Sequence, residues 1–472
     1  MSQRRTTVAV VSFALAALLI EPLAASASPP TTLNTTAPAS AGIGAAPAIP
    51  EPEHADDIVR WQSAAGEPTA RTSASSGMRA YTSPNKNVHQ VDVVVATPAW
   101  TTKGRVKQLV RDRDVDALLA KVSAYWSAQS GGKIRFVRSS AIKRIETGDG
   151  TCTTNSRILR QVKRGGSKHY GTDWYASGNR GPTKREHLVV LFPYRSGDHP
   201  DGGRYGSTCD GTLGLGSLPA KAGRDNPGGW SFSLFGGADG AKRSARFGHA
   251  QYATGVATLA HELGHNLGLE HSGVGWCSGT ADRSFRASGC GAVEGMDPLD
   301  LMGADFAAVG TVPLSGPQRR RLGVLPSSEI ATVTKASAGK DRTQTVRLAA
   351  RHRNSSLPTL LRAVDPRNGE SYFVELRRTA PGVRYPYLGG LPWRAAQDYT
   401  VAYGPTISRV AGSRALWAYP GEQLIVPTGP ESHRRSTLRE GATFTTRTGA
   451  LRLKVVSTSD GAMKIRVTFP AT

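Results

Sequence analysis

The sequence predicts a mixed α/β (α+β) domain built on a twisted mixed sheet, followed by an all-β domain that we expect to be a β-sandwich. Strand-like and helix-like segments alternate over residues 88–325, as in the first class. From residue 326 to residue 472 only short alternating strand-like segments separated by turns remain, which is typical of the second class. At 472 residues the chain is long enough for two or three domains.

Residues 1–27 have the features of a secretory signal peptide. Two arginines precede an apolar run at residues 8–20, and small residues lead up to Ala27. The run ends at Glu21, short of the roughly 20 apolar residues that span a bilayer. We therefore expect cleavage near Ala27 and an extracellular, secreted product with no transmembrane segment. Residues 28–87 begin with a stretch rich in Pro, Ala, Thr and Ser, which predicts a disordered linker or a pro-segment.

Hydrophobic periodicity locates the individual elements. In the first domain it predicts a helix over 114–129 that ends at Gly131, and a buried helix over 253–267. A third, short helix over 315–322 has Ser315 as its cap. Strands are expected at 91–96, 134–137, 187–192, 213–218, 345–348, 360–364, 372–376, 423–426, 451–456 and 463–468.

The net charge of +23 predicts attraction to polyanions, such as an acidic cell-wall polymer. The positive charge is dispersed and accompanies no nucleic-acid-binding module, so no specific nucleic-acid partner is expected. We expect a monomer. The aspartates at 112, 114 and 116 do not make a calcium loop, because Ala117 and Ser123 stand where that loop needs Gly and Glu. They are instead expected as charges at a helix N-terminus.

Four cysteines in an exported chain suggest two disulfides. Three connectivities are possible. Cys277 and Cys290 are close in sequence, which favours Cys277–Cys290 together with Cys152–Cys209. A cysteine-rich zinc site is disfavoured because no CxxC pair occurs.

Residues 261–271 read HELGHNLGLEH, and this spacing predicts a catalytic zinc site. His261 and His265 are four residues apart and project from one face of a helix. Gly268 allows a turn that brings in His271 as the third ligand of one Zn²⁺ per chain. Three protein ligands leave a fourth position for water, and Glu262 is placed to act on that water as the general base.

With this motif the chain resembles the metzincin clan of zinc endopeptidases. The resemblance implies a Met-turn beneath the metal, for which Met302 is the natural match and Met296 an alternative. The DxMG form at residues 300–303 is most similar to the gametolysin-like branch. That branch implies extracellular-matrix or cell-wall proteins as substrates.

Two departures from the clan's pattern concern function. Ala304 stands where some metzincins have a tyrosine that serves as an extra ligand or oxyanion donor. No cysteine precedes Cys152, so a pro-segment cysteine that caps the zinc is absent from this sequence, and Asp56–Asp57 is an alternative cap.

The substrate is expected to be a protein or peptide that lies extended along an exposed edge strand at 213–218. The expected contacts on that strand are Leu213, Gly214, Leu215 and Gly216, and residues after Met302, including Ala304 and Phe306, are expected to wall the neighbouring pocket. Two alternatives stay open: a zinc hydrolase of a non-peptide wall amide, and a wall- or surface-binding protein that keeps this fold. The C-terminal domain is either a wall-binding accessory or a partner that completes the fold.

Overall fold

The computed structural model describes residues 58–60, 87–99, 101–148, 185–193, 214–218, 228–235, 248–277, 282, 290–293, 297, 300–303, 312–340, 342–351, 355–377, 404–410, 422–426, 438, 440–459 and 461–471. All of them belong to one unit of the chain, Glu51–Thr472. Among them, no helix is both long and apolar enough to cross a membrane.

The first sheet has seven strands and is mixed, as predicted. Its strands are β1 (Ile58–Arg60), β2 (Val88–Pro98), β3 (Arg135–Arg138), β4 (Lys143–Gly148), β5 (Glu186–Pro193), β6 (Gly214–Leu218) and β7 (Gly228–Phe235). The order is β1-β6-β7-β5-β2, and β3 and β4 pair with successive parts of β2. Only β6 and β7 are antiparallel neighbours; the other pairs in this sheet are parallel.

Four α-helices are described: α1 (Lys103–Leu109), α2 (Asp112–Ser130), α3 (Gly248–Asn266) and α4 (Gly316–Arg321), together with a 3₁₀ turn at Ser327–Glu329. The apolar face predicted for α2 is buried, and Gly131 ends that helix in the left-handed conformation with φ 60°. Asp112 and Asp114 lie in the first turn of α2, as expected for charges at a helix N-terminus, whereas Asp116 lies in the second turn. Ser315 caps α4 by accepting a hydrogen bond from the backbone N–H of Gln318.

Helices α2 and α3 pack against each other, and α3 also lies against β6 and β7. One buried apolar cluster joins these helices to β2 and β5, and it includes Trp126 of α2 and Leu259 and Leu263 of α3. This core fixes the face of α3 that carries the histidines.

Two further sheets follow. Their strands are β8 (Ser272–Cys277), β9 (Cys290–Val293), β10 (Ile330–Val333), β11 (Thr343–Ala349), β12 (Leu360–Val364), β13 (Ser371–Arg377), β14 (Gly404–Val410), β15 (Glu422–Val426), β16 (Thr443–Thr445), β17 (Arg452–Thr458) and β18 (Ala462–Thr468). The second sheet has the order β10-β12-β13-β14-β15-β8-β9, and the third is antiparallel with the order β11-β18-β17-β16.

The second sheet contains strands from both sides of residue 325, where the sequence predicts a domain boundary. β15 runs parallel to β8, with Leu424 opposite Val274. The second and third sheets share one buried cluster that includes Leu361, Val374 and Ile465. The β-sandwich and the division into two domains stay predictions.

The register of β8 and β9 bears on one predicted disulfide. Cys277 and Cys290 are direct partners across this antiparallel pair. Direct partners have Cα atoms about 4.5–5.5 Å apart, a spacing that a disulfide can bridge. The disulfide itself stays a prediction. Cys152 and Cys209 lie outside the described residues.

Candidate metal centre

The predicted metal-binding motif begins on α3, where His261 and His265 occupy successive turns of one face. Both rings are buried, and their Nε2 atoms lie 3.0 Å apart. Each Nδ1 faces a backbone carbonyl: that of Leu301 at 2.7 Å for His261, and that of Leu269 at 2.8 Å for His265. A carbonyl only accepts, so the ring proton belongs on Nδ1 and the Nε2 lone pairs point toward each other.

A tight turn after α3 brings in the third histidine. Gly268 has φ 86°, a conformation that other residues rarely adopt. The backbone N–H of Leu269 bonds back to the carbonyl of Gly264 at 3.0 Å, which reverses the chain. His271 then lies with its ring centre 4.8 Å from that of His265 and 5.2 Å from that of His261.

One ligand atom from each of these three buried histidines lies within 4.8 Å of the other two. Two nitrogens at 2.0–2.1 Å from one tetrahedral ion would be about 3.3 Å apart, close to the observed separation of the two Nε2 atoms. Two unprotonated nitrogens that face each other repel unless a cation lies between them. The triad can therefore hold a metal ion, and three imidazoles suit zinc.

Glu262 is buried next to the triad, on the side of α3 that faces β6. A Cβ atom added to Gly214 would lie 2.8 Å from Cδ of Glu262, and one added to Gly216 would lie 2.9 Å from its Oε2. These two glycines are thus required for β6 to approach the carboxylate. The predicted contact strand lies directly against the predicted base.

The predicted exposure of that strand is wrong. Gly214–Ser217 are buried, and Leu215 is only 4% exposed. β6 is not at the edge of the sheet either, because β1 pairs along it with Ile58 opposite Gly216 and Arg60 opposite Leu218. Leu213, Ala304 and Phe306, like Met296 and Asp56–Asp57, lie outside the described residues.

Met302 is fully buried beneath the motif. A Cβ atom added to Gly264, between the two helical histidines, would lie 2.6 Å from the Met302 sulfur. The backbone N–H of Ser272 donates to the Met302 carbonyl at 2.8 Å, and the Met302 N–H donates to Oδ1 of Asp300 at 2.7 Å. The loop with Met302 therefore packs against α3 and is hydrogen-bonded to the start of the strand that follows His271.

Behind the histidine triad lies a buried series of hydrogen-bonded side chains that no sequence pattern predicted. Asn266 donates from Nδ2 to the carbonyls of Ser217 on β6 and Trp230 on β7, at 3.1 and 2.9 Å. Its Oδ1 lies 3.2 Å from Nδ1 of His187, whose Nε2 lies 2.9 Å from Nδ1 of His89. Burial lowers the pKa of His187 to about 4, and the hydrogen bond that His187 donates to Asn266 opposes this with a smaller effect. The sequence signal for Asn266 as a link between α3 and the sheet was limited to its position inside the HELGHNLGLEH motif.

No protein-family model matches the chain, and no curated protein matches it significantly. Solved structures do match. Metalloproteinase-II from Bacteroides fragilis aligns with 51% of this chain at 14% identity and a TM-score of 0.26, so this chain spans about half (54%) of its length. OgpA from Akkermansia muciniphila aligns with 78% of this chain and 92% of its own, at 13% identity and a TM-score of 0.29. A catalytically inactive OgpA in complex with an O-glycopeptide substrate covers 82% and 94% of the two chains, at 12% identity and a TM-score of 0.29. Scores this low assign neither fold nor activity, so the functional argument depends on the site itself.

Proposed function

We propose that the chain is a zinc-dependent endopeptidase of the metzincin type, closest to the gametolysin-like branch. It acts on peptide bonds of extracellular or cell-wall proteins. The observation that carries this proposal is that three buried histidines each place one ring nitrogen within 4.8 Å of the other two, with Glu262 buried beside them. A structural zinc site closes its coordination with a fourth protein ligand and has no use for a neighbouring carboxylate.

The protein residues divide the chemical work between them. A Zn²⁺ ion bound to the triad would polarise the scissile carbonyl and lower the pKa of a water molecule toward about 7. The carboxylate of Glu262 would accept a proton from the attacking water and later deliver it to the leaving amine. The carbonyls of Leu301 and Leu269 hold the rings of His261 and His265 in the orientation that directs Nε2 inward.

Strand β6 is the proposed docking strand for the substrate backbone. It lies against Glu262 through Gly214 and Gly216, so a peptide paired with its outer edge would pass the carboxylate. In this structure β1 is paired with that edge at residues 216–218. A substrate strand can pair with residues 216–218 only after residues 58–60 leave. Of the two roles expected for residues 28–87, a disordered linker or a pro-segment, a removable pro-segment would meet this requirement.

Export with cleavage near Ala27, a monomeric state and attraction of the basic surface to acidic wall polymers complete the proposal. The net charge of +23 supports the last of these. No specific nucleic-acid partner is proposed.

The test compares peptide cleavage by the wild type, Glu262→Gln and Glu146→Gln. Glu146 is a matched control because its carboxylate is 69% exposed on the surface. Each protein is assayed as exported, and again after cleavage at a protease site engineered between residues 61 and 86. A peptide library read by mass spectrometry also supplies the cleavage preference.

We expect Glu146→Gln to match the wild type and Glu262→Gln to lose about 10²–10⁴-fold in rate while it retains zinc. A chelator should abolish cleavage, and added zinc should restore it. Equal cleavage by Glu262→Gln and the wild type, or no effect of chelation, would overturn the mechanism. If the zinc-loaded wild type cleaves no peptide, the wall-amide hydrolase and the binding protein replace the endopeptidase.

A further inference from the structure

A buried ion-pair cluster joins the C-terminal sheet to the loop that carries Met302. Arg377, at the end of β13, donates from Nη1 to both carboxylate oxygens of Asp297, at 3.1 and 2.9 Å. Its Nε donates to Oε1 of Glu375 at 2.6 Å. The side chains of Arg377 and Asp297 are only 2% and 0% exposed. At this burial the charges are compensated by their ion partners rather than by water, so removal of one partner is strongly destabilising.

Asp297 belongs to the loop that supports the metal site. Its backbone N–H donates to the carbonyl of Ser272, the residue after His271, at 3.0 Å. A Cβ atom added to Gly303 would lie 3.0 Å from the carbonyl carbon of Asp297, so the two ends of the loop are in contact. The same loop presents the Leu301 carbonyl that orients His261.

The loop carries a second buried carboxylate, Asp300, which adds to the buried negative charge that a cation must compensate. Asp300 accepts the backbone N–H groups of Met302 and Ser315, at 2.7 and 2.5 Å. Burial and the neighbouring Asp297 raise the pKa of Asp300, and Arg377 opposes that rise. A guanidinium can serve Asp297 and Glu375 at once because its donors are fixed in a planar fork.

We propose that Arg377 is a positioning residue of the metal centre. It neutralises the Met302 loop (residues 297–303) and so keeps the Leu301 carbonyl in place behind His261. The C-terminal sheet therefore completes the metal site rather than forming an independent accessory. The pairing of β15 with β8, directly after His271, agrees with this assignment. The inference depends on the metal site of the proposed function but not on peptide cleavage.

The experiment measures zinc affinity by chelator competition and the absorption spectrum of the Co²⁺-substituted protein, both in the full exported chain. Arg377→Met removes the positive charge, whereas Arg377→Lys keeps it but lacks the planar arrangement of guanidinium donors. Arg351→Met is the matched control. Arg351 is a similarly buried arginine that lies 3.6 Å from Glu375, and its described contacts do not include Asp297.

We expect Arg377→Met to weaken zinc binding by about 10–100-fold, the loss typical of residues that orient metal ligands. The Co²⁺ bands should shift with it. Arg377→Lys should recover part of the affinity, and Arg351→Met should stay close to the wild type in both measurements even where its unfolding midpoint falls. The double variant Asp297→Asn/Arg377→Met, which removes the negative charge at residue 297 together with its cation, should bind zinc more tightly than Arg377→Met.

Equal loss of zinc affinity in Arg377→Met and Arg351→Met would overturn the assignment, because both would then act through general stability. Wild-type affinity and spectrum in a folded Arg377→Met would also overturn it. If Arg377→Met does not fold, Arg377→Lys decides: unchanged zinc affinity and Co²⁺ bands contradict the proposal, and weakened affinity with shifted bands supports it. Because neither measurement uses a peptide, failure of the endopeptidase proposal would be recognised separately.

Discussion

A Cβ atom on Gly264 would lie 2.6 Å from the Sδ atom of Met302. Helix α3 and the Met302 loop are therefore in contact between His261 and His265, at a point where no side chain fits. Trp126 of α2 closes the same space, 3.4 Å from the added atom. The distance between α3 and the loop that orients His261 is thus set by a glycine and a methionine in contact.

Gly264→Ala should destabilise the protein and weaken zinc binding. In an ordinary helix interior this substitution stabilises by about 0.5–1 kcal/mol. Here the added methyl group overpacks a filled site, and we expect a loss of about 1–3 kcal/mol in the free energy of unfolding. Urea unfolding with and without zinc measures both effects. Gly104→Ala in α1 is the control, since nothing lies within 4 Å of its added atom. A stabilised Gly264→Ala would contradict the contact.

Replacement of residues 58–60 by Gly-Pro-Gly should increase peptide cleavage by the uncleaved protein. Pro and Gly weaken strand pairing, so β1 should leave β6 more often. The loss of one or two net hydrogen bonds of about 1 kcal/mol each corresponds to an increase of about tenfold in rate. The same replacement at residues 74–76 is the control and should change nothing. If both variants cleave at the wild-type rate, β1 does not restrict access to β6.

The buried His187 should make the fold sensitive to mild acid. Its pKa is about 4 in the folded protein and about 6.5 in the unfolded chain, so between these values the unfolded state binds more protons. Stability is therefore complete above pH 6.5 and falls as the pH drops toward 4. Between pH 7.5 and 5.0 the effect amounts to about 2 kcal/mol.

Urea unfolding of the metal-free wild type and of His187→Gln at both pH values tests this expectation. The decrease in unfolding free energy should be smaller in the variant by about that amount. The metal-free form is used so that zinc release from His261, His265 and His271 does not contribute. An equal decrease in the two proteins would show that His187 is not the group responsible.

Local patterns in the sequence predicted much of the helical structure and the composition of the site. The spacing of His261 and His265 places them on one face of any helix, whatever surrounds it. Gly268 indicated the turn that brings in His271, and Ser315 indicated the start of α4. Strand β12 was predicted at its observed bounds, 360–364, because its apolar run is bounded by turn residues.

Other elements escaped sequence reasoning because their patterns resemble loops. β7 has the sequence GGWSFSLF, whose glycines and serines are typical of a loop and predict no strand, yet it is buried throughout. Gly229 at its start is required because a Cβ atom there would lie 2.8 Å from Cγ of Asn266. A glycine needed for close approach cannot be distinguished from a glycine of a turn without the neighbouring helix.

The sequence by itself determined which residues meet on α3 and in the turn after it, since helix and turn geometry depend on neighbours a few positions apart. Only the tertiary structure decided that β1 covers the edge of β6, that β15 pairs with β8, and that Arg377 reaches Asp297. Strand pairing and buried ion pairs join residues far apart in the chain. Every strand carries the same backbone donors and acceptors, so the choice of partner depends on packing between segments that are distant in the chain.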